Sequence, residues 1–216
     1  MINKDYILRL AERFGRELAI ILHLRKSNRH EEALIAIDDL FLRNTGLTTH
    51  FINSAPEDML LKMISPLGLL NLDKCLWIAV LLKEEGDIYT EMGNADEGYY
   101  RYVKSLHFFI EAALTGKVFK DVDIASATGE ILQKLEEFEL PFSLKTRLFR
   151  YFELTGSYSK AENTLLEMVE SDESNAQELI EPGREFYQRL LKKQDADLQA
   201  GGLTRQKVEE GLENLG

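Results

Sequence analysis

Apolar side chains recur at intervals of three and four residues along most of this chain, and no stretch shows the strict alternation that is typical of a β-strand. In residues 3–26 the apolar stripe falls on Ile7, Leu10, Phe14, Leu18 and Ile21. The residues from Leu18 to Leu22 are apolar on nearly every side, which predicts that the first helix is buried on two faces. Similar stripes along the rest of the sequence predict an all-α protein of about ten helices.

Short polar breaks mark the ends of these helices. Asn28, with Glu31 three residues later, predicts a capping box at the start of the second helix. Residues 47–55 have the composition of a loop, and the Pro182-Gly183 pair predicts a break or a kink near the C-terminus. These signals divide the chain into helices that are joined by turns, with no long linker between them.

The longest apolar run predicts the most buried element of the protein. It lies in a helix that Asn71 or Asp73 should cap and that ends at Met92. The run contains Cys75, the only cysteine, which we expect to be a small buried hydrophobe. A single thiol permits neither a disulfide within the chain nor a four-thiolate metal site.

The turns between helices repeat a pattern of small and large residues. These turns are Ser27-Asn28, Met92-Gly93 and Thr155-Gly156. A small residue follows each turn and a large apolar one comes four residues later, in the pairs Ala33 and Ile37, Gly98 and Tyr102, and Ala161 and Leu165. The small residues predict close helix–helix contacts, and we expect Gly93 and Gly156 to end helices with a positive φ.

This pattern resembles the tetratricopeptide repeat, a helical hairpin of about 34 residues. The clearest copy, residues 79–112, contains the sequence LLKEEGDIYTEMGNADEGYYRYVKS, whose glycines also match the repeat. Residues 14–47 and 142–175 are weaker copies. Because the copies begin about 64 residues apart rather than about 34, irregular insertions must separate them.

The resemblance implies an α-solenoid of stacked antiparallel hairpins with irregular insertions. It implies a single domain, residues 1–216, in which residues 176–216 cap the stack. The C-terminal half, with LEEFELPFSLKTRLFRYFELTGSYSKAENTLLEMVE and QAGGLTRQKVEEGLENL, is also similar to small uncharacterised bacterial proteins known only as domains of unknown function. This second resemblance implies a tetratricopeptide-like fold and a Firmicute source, and it implies no activity.

Composition narrows the classes of partner. The net charge is −11 and lysines and arginines form no block, so we expect no nucleic acid partner, because a protein that binds nucleic acid must neutralise phosphates. No stretch approaches the roughly 20 apolar residues that a membrane helix needs. The interleaved charges near the N-terminus do not resemble a signal peptide. We therefore expect a cytoplasmic protein with no membrane partner.

The known sequence motifs of catalysis and cofactor binding are missing. None of the four histidines belongs to an HExxH or a Glu-x-x-His motif. The chain contains no glycine-rich phosphate loop and no GxSxG nucleophile turn. We therefore expect no cofactor, no metal and no enzymatic activity, with an enzyme whose site is dispersed along the chain as the least favoured alternative.

Charged residues on the first helix of each hairpin form the candidate binding site. In tetratricopeptide proteins these helices line the concave face, where some members clamp the carboxylate of a peptide. Lys83 and Arg147 match that clamp, but Asp87 would repel a carboxylate and Ser143 replaces a required lysine. We therefore predict a different partner groove, formed by Arg25, Lys83, Asp87, Arg147 and Arg150. The alternative is that these residues form a solvated face or pair with one another.

The function that these observations favour is a non-catalytic scaffold that binds a protein or a peptide. Tyr100 and Phe108 lie off the apolar stripe of their helix, so they either pack on the adjoining hairpin or belong to a partner surface. A homo-oligomeric assembly protein is the alternative. Because the apolar face at Leu18–Leu22 has no predicted cover, this alternative predicts a homodimer.

Overall fold

A computed structural model describes the backbone of residues 4–116, 122–171 and 173–214, and the side chains of residues 14–116, 122–170 and 177–214. Within these ranges the chain is helical and contains no strand, which confirms the all-α prediction. The α-helices are α1 Lys4–Lys26, α2 His30–Thr45, α3 Thr49–Ser54, α4 Glu57–Met63, α5 Leu72–Glu91, α6 Ala95–Leu114, α7 Ile124–Lys134, α8 Phe142–Leu154, α9 Tyr158–Ser171, α10 Glu173–Leu191, α11 Asp195–Ala200 and α12 Arg205–Asn214. A 3₁₀ turn, Pro66–Gly68, follows α4.

The chain divides into two compact units, Met1–Glu139 (unit 1) and Leu140–Gly216 (unit 2). In unit 1, α1 packs on α2, α2 on α5, α5 on α6 and α6 on α7. In unit 2, α8 packs on α9, and α10 packs on both α9 and α12. The count of one domain stays a prediction.

Helix α5 forms the centre of unit 1. Every residue from Cys75 to Leu82 is buried, because α5 packs between α2 and α6 and no face of this stretch remains for solvent. Asn71 caps the helix, since its side-chain oxygen accepts a hydrogen bond from the Lys74 N–H at 3.1 Å. The structure confirms that this apolar helix is the most buried element. Burial also raises the pKa of the Cys75 thiol, which is therefore an inert core group.

Two glycines allow α5 and α6 to lie close together. A Cβ atom at Gly86 would lie 2.6 Å from a ring carbon of Tyr102, and a Cβ atom at Gly98 would lie 2.5 Å from Oγ1 of Thr90. Real Cβ atoms do not approach other atoms so closely, so a side chain at either position would push the two helices apart.

The repeat pattern predicted four further features, and the structure confirms them. Ala33 and Ala161 are fully buried. Gly93 and Gly156 follow α5 and α8 with φ values of 80° and 75°. Such a left-handed residue after a helix satisfies the last free carbonyl groups, and glycine adopts it without a Cβ clash.

Aromatic side chains dominate the core of unit 2. Phe186 and Tyr187 of α10 are buried, and the ring of Phe186 meets that of Phe149 edge to face, with 5.1 Å between the centroids. A Cβ atom at Gly211 would lie 2.3 Å from the ring of Tyr187, so this glycine lets α12 approach α10. The sequence predicts a final short helix over 204–214 with the apolar residues Val208, Leu212 and Leu215. Val208 is buried, and Leu215 lies outside the described residues.

The predicted capping box at Asn28 is wrong. Asn28 has a φ of 54°, and its N–H bonds to the Arg25 carbonyl oxygen, so it closes the turn after α1. An N-cap residue needs an extended backbone to aim its side chain at the next turn. Arg29 is the N-cap of α2 instead, and no side-chain hydrogen bond caps that helix.

Two other boundary predictions are wrong. Residues 47–55 are not a loop, because α3 occupies most of this stretch, with Thr48 as a cap that accepts from the Phe51 N–H. The predicted break at Pro182 is also wrong, since α10 continues through it, and the alternative of a kink stays a prediction. The missing N–H of a proline costs one helical hydrogen bond. Core packing on both sides of Pro182, at Leu179 and Phe186, holds the helix together.

The prediction that the first helix is buried on two faces is also wrong. Ile21 is fully buried, but its neighbours Ile20 and Leu22 are exposed, so α1 buries one face in the described region. In α6 the two alternatives for Tyr100 and Phe108 separate. Tyr100 is exposed, whereas Phe108 is fully buried and packs in the core.

Candidate functional site

Three of the predicted groove residues meet in a charged cluster in unit 1. Arg25, at the C-terminal end of α1, reaches the polar face of α5, where it pairs with Glu84. The same guanidinium lies 3.1 Å from Asp87 and donates to Glu91 at 2.6 Å. These ion pairs fasten the end of α1 to α5.

Asp87 is the centre of this cluster. It accepts hydrogen bonds from the Tyr102 hydroxyl at 2.8 Å and from the Lys83 ammonium at 3.2 Å, and it pairs with Lys134 of α7. Burial by itself would raise the pKa of Asp87. The hydrogen bond from Lys134, the charge of Lys83 and the Tyr102 hydroxyl outweigh burial and hold that pKa below its usual range.

Lys83 extends the cluster to a second element, because its ammonium also lies 3.2 Å from Glu130 of α7. Ion pairs therefore link α1, α5 and α7 along one polar face of unit 1. The structure therefore shows the alternative given above for these three residues, because Arg25 and Lys83 both pair with Asp87. Because these charges are already paired with one another, this face has little electrostatic attraction left for a ligand.

The other two predicted groove residues lie in unit 2, on α8. Arg147 donates to the Ser143 carbonyl oxygen at 3.4 Å within its own helix, and Arg150 is exposed. The structure thus brings three of the five predicted residues together in unit 1, and the other two belong to unit 2.

A depression of about 430 Å³ lies beside the charged cluster. Its lining residues are Leu22, Arg25, Lys26, Asn28, His30 and Glu91. Its charges are mixed, and Glu91 already pairs with Arg25 and with His30, at 3.2 Å. Among the residues that the structure describes, no group of three histidine, cysteine, aspartate or glutamate side chains is arranged to hold a metal ion.

The most unusual surface of unit 1 is apolar and was not predicted. Met59, Met63, Leu67 and Leu69 are 47%, 49%, 100% and 74% exposed. We call residues 59–69 the apolar segment. Met59 and Met63 are one helical turn apart on α4, whereas Leu60 and Ile64 point inward and are fully buried. The outer side of the segment therefore carries these apolar side chains beside one exposed lysine, Lys62, although a buried core already lies on its inner side.

Leu67 stands at the tip of a closed loop. The Asn71 N–H bonds to the Ile64 carbonyl oxygen at 2.8 Å and joins the two ends of this loop. Leu67 has a φ of 57°, in the left-handed region that costs a residue with a Cβ about 1–2 kcal/mol. The chain thus holds a fully exposed leucine in an unfavourable backbone conformation, a combination that gives the folded protein no stability.

A buried ammonium group fixes the backbone that precedes the apolar segment. Lys104 of α6 donates to the carbonyl oxygens of Ile52, Asn53 and Ala55, at 3.0, 3.1 and 2.8 Å. These carbonyls end α3, where a helix has no internal donors left. Lys104 therefore acts as a C-terminal cap that is supplied from another helix, and burial lowers its pKa.

The sequence predicted neither the exposure of the two methionines nor the burial of Lys104. Met59 and Met63 have the spacing of a helix face, but nothing in the sequence separates an exposed pair from a buried one. A lysine such as Lys104 is exposed in most proteins, and no local signal indicates that it is buried against distant carbonyls. The sequence signal that could have helped is the loop itself, where Pro66 and Gly68 flank an apolar residue.

The chain matches, over residues 1–216, the family described as Family of unknown function (DUF6483). It belongs to this family. The expectation of membership in an uncharacterised family is confirmed, and the family description states no activity. No curated protein and no solved structure matches the chain. In the described residues, no helix combines the length and the apolar character that spanning a membrane requires.

Proposed function

We propose that this protein is a non-catalytic interaction module that binds another protein through the apolar segment. One observation carries the proposal: four large apolar side chains are exposed together on a short stretch of chain whose backbone is fixed on the inner side. Clustered apolar exposure of this kind marks interaction sites, whereas single exposed apolar residues are common on any surface.

The chemistry of the segment supports a protein partner. Methionine side chains are flexible and polarisable, and they adapt to apolar surfaces of different shape. The Lys104 cap and the Ile64–Asn71 hydrogen bond hold the segment in one conformation before binding. Such preorganisation lowers the conformational entropy that is lost on association. The strain at Leu67 agrees with selection for contact rather than for stability.

Charge favours a basic partner over a second copy of this chain. Two copies would each carry a net charge of −11 and would repel each other. Glu57 and Asp58 form the first turn of α4, directly before Met59. A partner with an apolar face and basic flanking residues would match both the apolar segment and these carboxylates.

The scaffold that presents this surface is a set of stacked helices. In unit 1 the packing order α1, α2, α5, α6, α7 supports a tetratricopeptide-like stack. In this proposal the charged cluster around Asp87 makes the stack rigid, and the apolar segment makes the contact. The cytoplasm is the proposed location.

A capture experiment with matched variants tests the proposal. The tagged wild-type chain and a Met63→Asn, Leu67→Asn variant are each incubated with extract of the source cells, and retained proteins are identified. We expect one basic protein on the wild type, and at least a tenfold lower yield of it on the variant. The control is Leu154→Asn, which also removes an exposed leucine, from α8. Equal yields from all three proteins would contradict the proposal.

Self-association is a second candidate function, and the exposure of Ile20 and Leu22 on α1 favours it. Sedimentation velocity of the purified chain tests it without any partner. A dimer that dissociates in an Ile20→Asp variant would support a homodimer through α1. A monomer at all concentrations would exclude it and would leave the apolar segment as the interaction surface.

A further inference from the structure

Besides Lys104, the buried carboxyl group of Glu85 also lies beside the end of α3. Glu85 of α5 is 2% exposed. Its Oε2 atom accepts hydrogen bonds from Nδ2 of Asn53, on α3, and from Nε of Arg101, on α6, both at 3.2 Å. Asn53 is also one of the residues whose carbonyl oxygen binds Lys104. Glu85 and Lys104 thus hold the same end of α3 from two sides.

The charges around Glu85 come from every helix that packs near it. Asp38 of α2 acts on Glu85 through its like charge, and the Arg101 guanidinium provides the opposite charge. Arg101 is shared, because it also lies 2.9 Å from Glu97. On the far side, the Lys104 ammonium lies 3.9 Å from Glu57 of α4. A single, shared cation therefore compensates the ionised form of Glu85.

We infer that Glu85 is a proton-dependent latch for α3, which is held most firmly when Glu85 is protonated and opens more often when Glu85 is ionised. In the closed state the Glu85 carboxyl group is buried and Asn53 of α3 donates a hydrogen bond to it. When α3 lifts, water reaches the carboxyl group and solvates its charge, so that ionisation favours the open state.

The pKa of Glu85 gives the direction and the range of the effect. Burial, opposed by Arg101 and Asn53, raises this pKa from 4.5 to about 7 in the closed state. Opening returns it toward 4.5. Between these two values the closed state binds more protons than the open state, so opening increases as the pH rises and levels off above pH 7. From pH 5 to pH 8 the open fraction should increase roughly 70-fold.

A hydrogen-bond acceptor without a donor, on Asn53, lies beside Glu85 and suits the protonated form of the Glu85 carboxyl group. The Oδ1 atom of Asn53 is buried and accepts no hydrogen bond while Nδ2 donates to Glu85. A protonated carboxyl group has an O–H to donate. After rotation of the Asn53 amide, that O–H can bond to Oδ1, so the latch residue keeps a bond to α3 and the buried acceptor gains one.

The consequence for function rests on the proposed function. Residues 49–55 lead directly into α4, which carries Met59 and Met63. If the apolar segment is the contact surface, the latch orders that surface best at pH values near or below 4.5, and its preorganisation weakens as the pH rises from there to about 7. The latch itself requires no partner, and its test uses none.

Hydrogen exchange tests the latch in the purified full-length chain. Exchange of the α3 amides, including Ile52 and Ala55, which bond to the carbonyl oxygens of Thr48 and Phe51, is followed by mass spectrometry from pH 5 to pH 8. After correction for intrinsic exchange, we expect α3 protection to fall roughly 70-fold over this range. Amides in the middle of α6 provide the internal reference and should show no such slope.

Two variants separate the latch from general effects of pH. Glu85→Gln is neutral at every pH, so its α3 protection should not change with pH and should exceed that of the wild type at pH 5 by roughly fourfold. Glu32→Gln changes an exposed carboxylate of α2 that pairs with Arg29, not with Arg101, and should keep the slope of the wild type. Equal slopes in the wild type and Glu85→Gln, or wild-type protection that varies less than threefold, would overturn the inference.

A titration of the wild type covers the case in which Glu85→Gln does not fold. The ¹³C shift of the Glu85 carboxyl carbon reports its protonation directly. A midpoint near pH 7 supports the latch, and a midpoint near pH 4.5 overturns it. Neither result depends on the binding experiment, so the latch and the proposed function can fail separately.

Discussion

Leu67 shows most directly that single residues of this protein are not all chosen for stability. Its side chain buries nothing, and its backbone occupies the left-handed region. Asparagine tolerates that region better than leucine. We therefore expect Leu67→Asn to raise the free energy of unfolding by about 0.5–1 kcal/mol. Urea denaturation measures this change. A loss of stability in Leu67→Asn would mean that the leucine has a structural role.

A second prediction for single residues concerns alanine at Gly86, and alanine at Gly129 serves as its control. A Cβ at Gly86 meets the ring of Tyr102, which the hydrogen bond to Asp87 holds in place. Gly86→Ala should therefore lower the free energy of unfolding by roughly 1–3 kcal/mol. Gly129 lies inside α7 with nothing within 4 Å of its Cβ position. Gly129→Ala should stabilise by up to about 1 kcal/mol, because alanine favours a helix. Thermal denaturation of both variants checks the opposite signs.

Asp87 should be the most sensitive charge in unit 1. In Asp87→Asn, the cations Arg25, Lys83 and Lys134 lose the carboxylate that they share. The expected loss at pH 7 is about 2–4 kcal/mol. Because the pKa of Asp87 is lowered in the folded state, its contribution is present at neutral pH and is lost as the pH falls below about 4. Denaturant curves at pH 7 and pH 3 should therefore differ less for the variant than for the wild type. An equal difference would contradict the role of Asp87.

Single residues were predictable where one local rule decides them. The burial of Ala33 and Ala161 was predictable from their fixed distance to a turn, and the burial of Cys75 was predictable from its apolar neighbours. Glu85 and Lys104 were not predictable, because their burial depends on helices that are distant in sequence. The predicted charged groove stays a prediction. Arg25 and Lys83 converge on Asp87 and pair with it, which is the alternative that the sequence left open.

At the scale of helices, the turn between α5 and α6 leads to a testable prediction. Gly93 separates α5 from α6 with a φ of 80° and has open space around its Cβ position. Gly93→Val should therefore destabilise through the backbone alone, by about 1 kcal/mol or more. Circular dichroism during heating measures the loss. An unchanged melting temperature would show that the turn adapts to another conformation.

Long amphipathic helices were predicted well, and short or interrupted elements were not. The stripe of α5 or α6 is long enough for the helical period to stand out from chance. Helix α3 spans a single short stretch and buries only Ile52, so its sequence resembles a loop. In α10, tertiary packing overrides the local effect of Pro182. These errors share one cause, which is that local preference is weaker than contacts with the rest of the fold.

At the scale of the whole molecule, exposure decides where a partner can bind. Sequence composition correctly indicated an acidic, all-helical chain, and it favoured an interaction protein. It could not locate the contact surface, because a methionine on a helix face is exposed or buried according to which helices pack against it. The apolar segment became visible only when the packing of α4 was known. The net charge of −11 then indicates the character of the partner.

Site-specific photo-crosslinking in living cells tests the central claim most directly. A photoreactive amino acid is placed at position 67, at the tip of the apolar segment, and in a separate protein at position 154, the exposed leucine on α8. We predict one defined crosslinked product to a basic protein from position 67 and none of that product from position 154. Addition of Met63→Asn should weaken the product from position 67. No product from position 67, or the same products from both positions, would contradict the account.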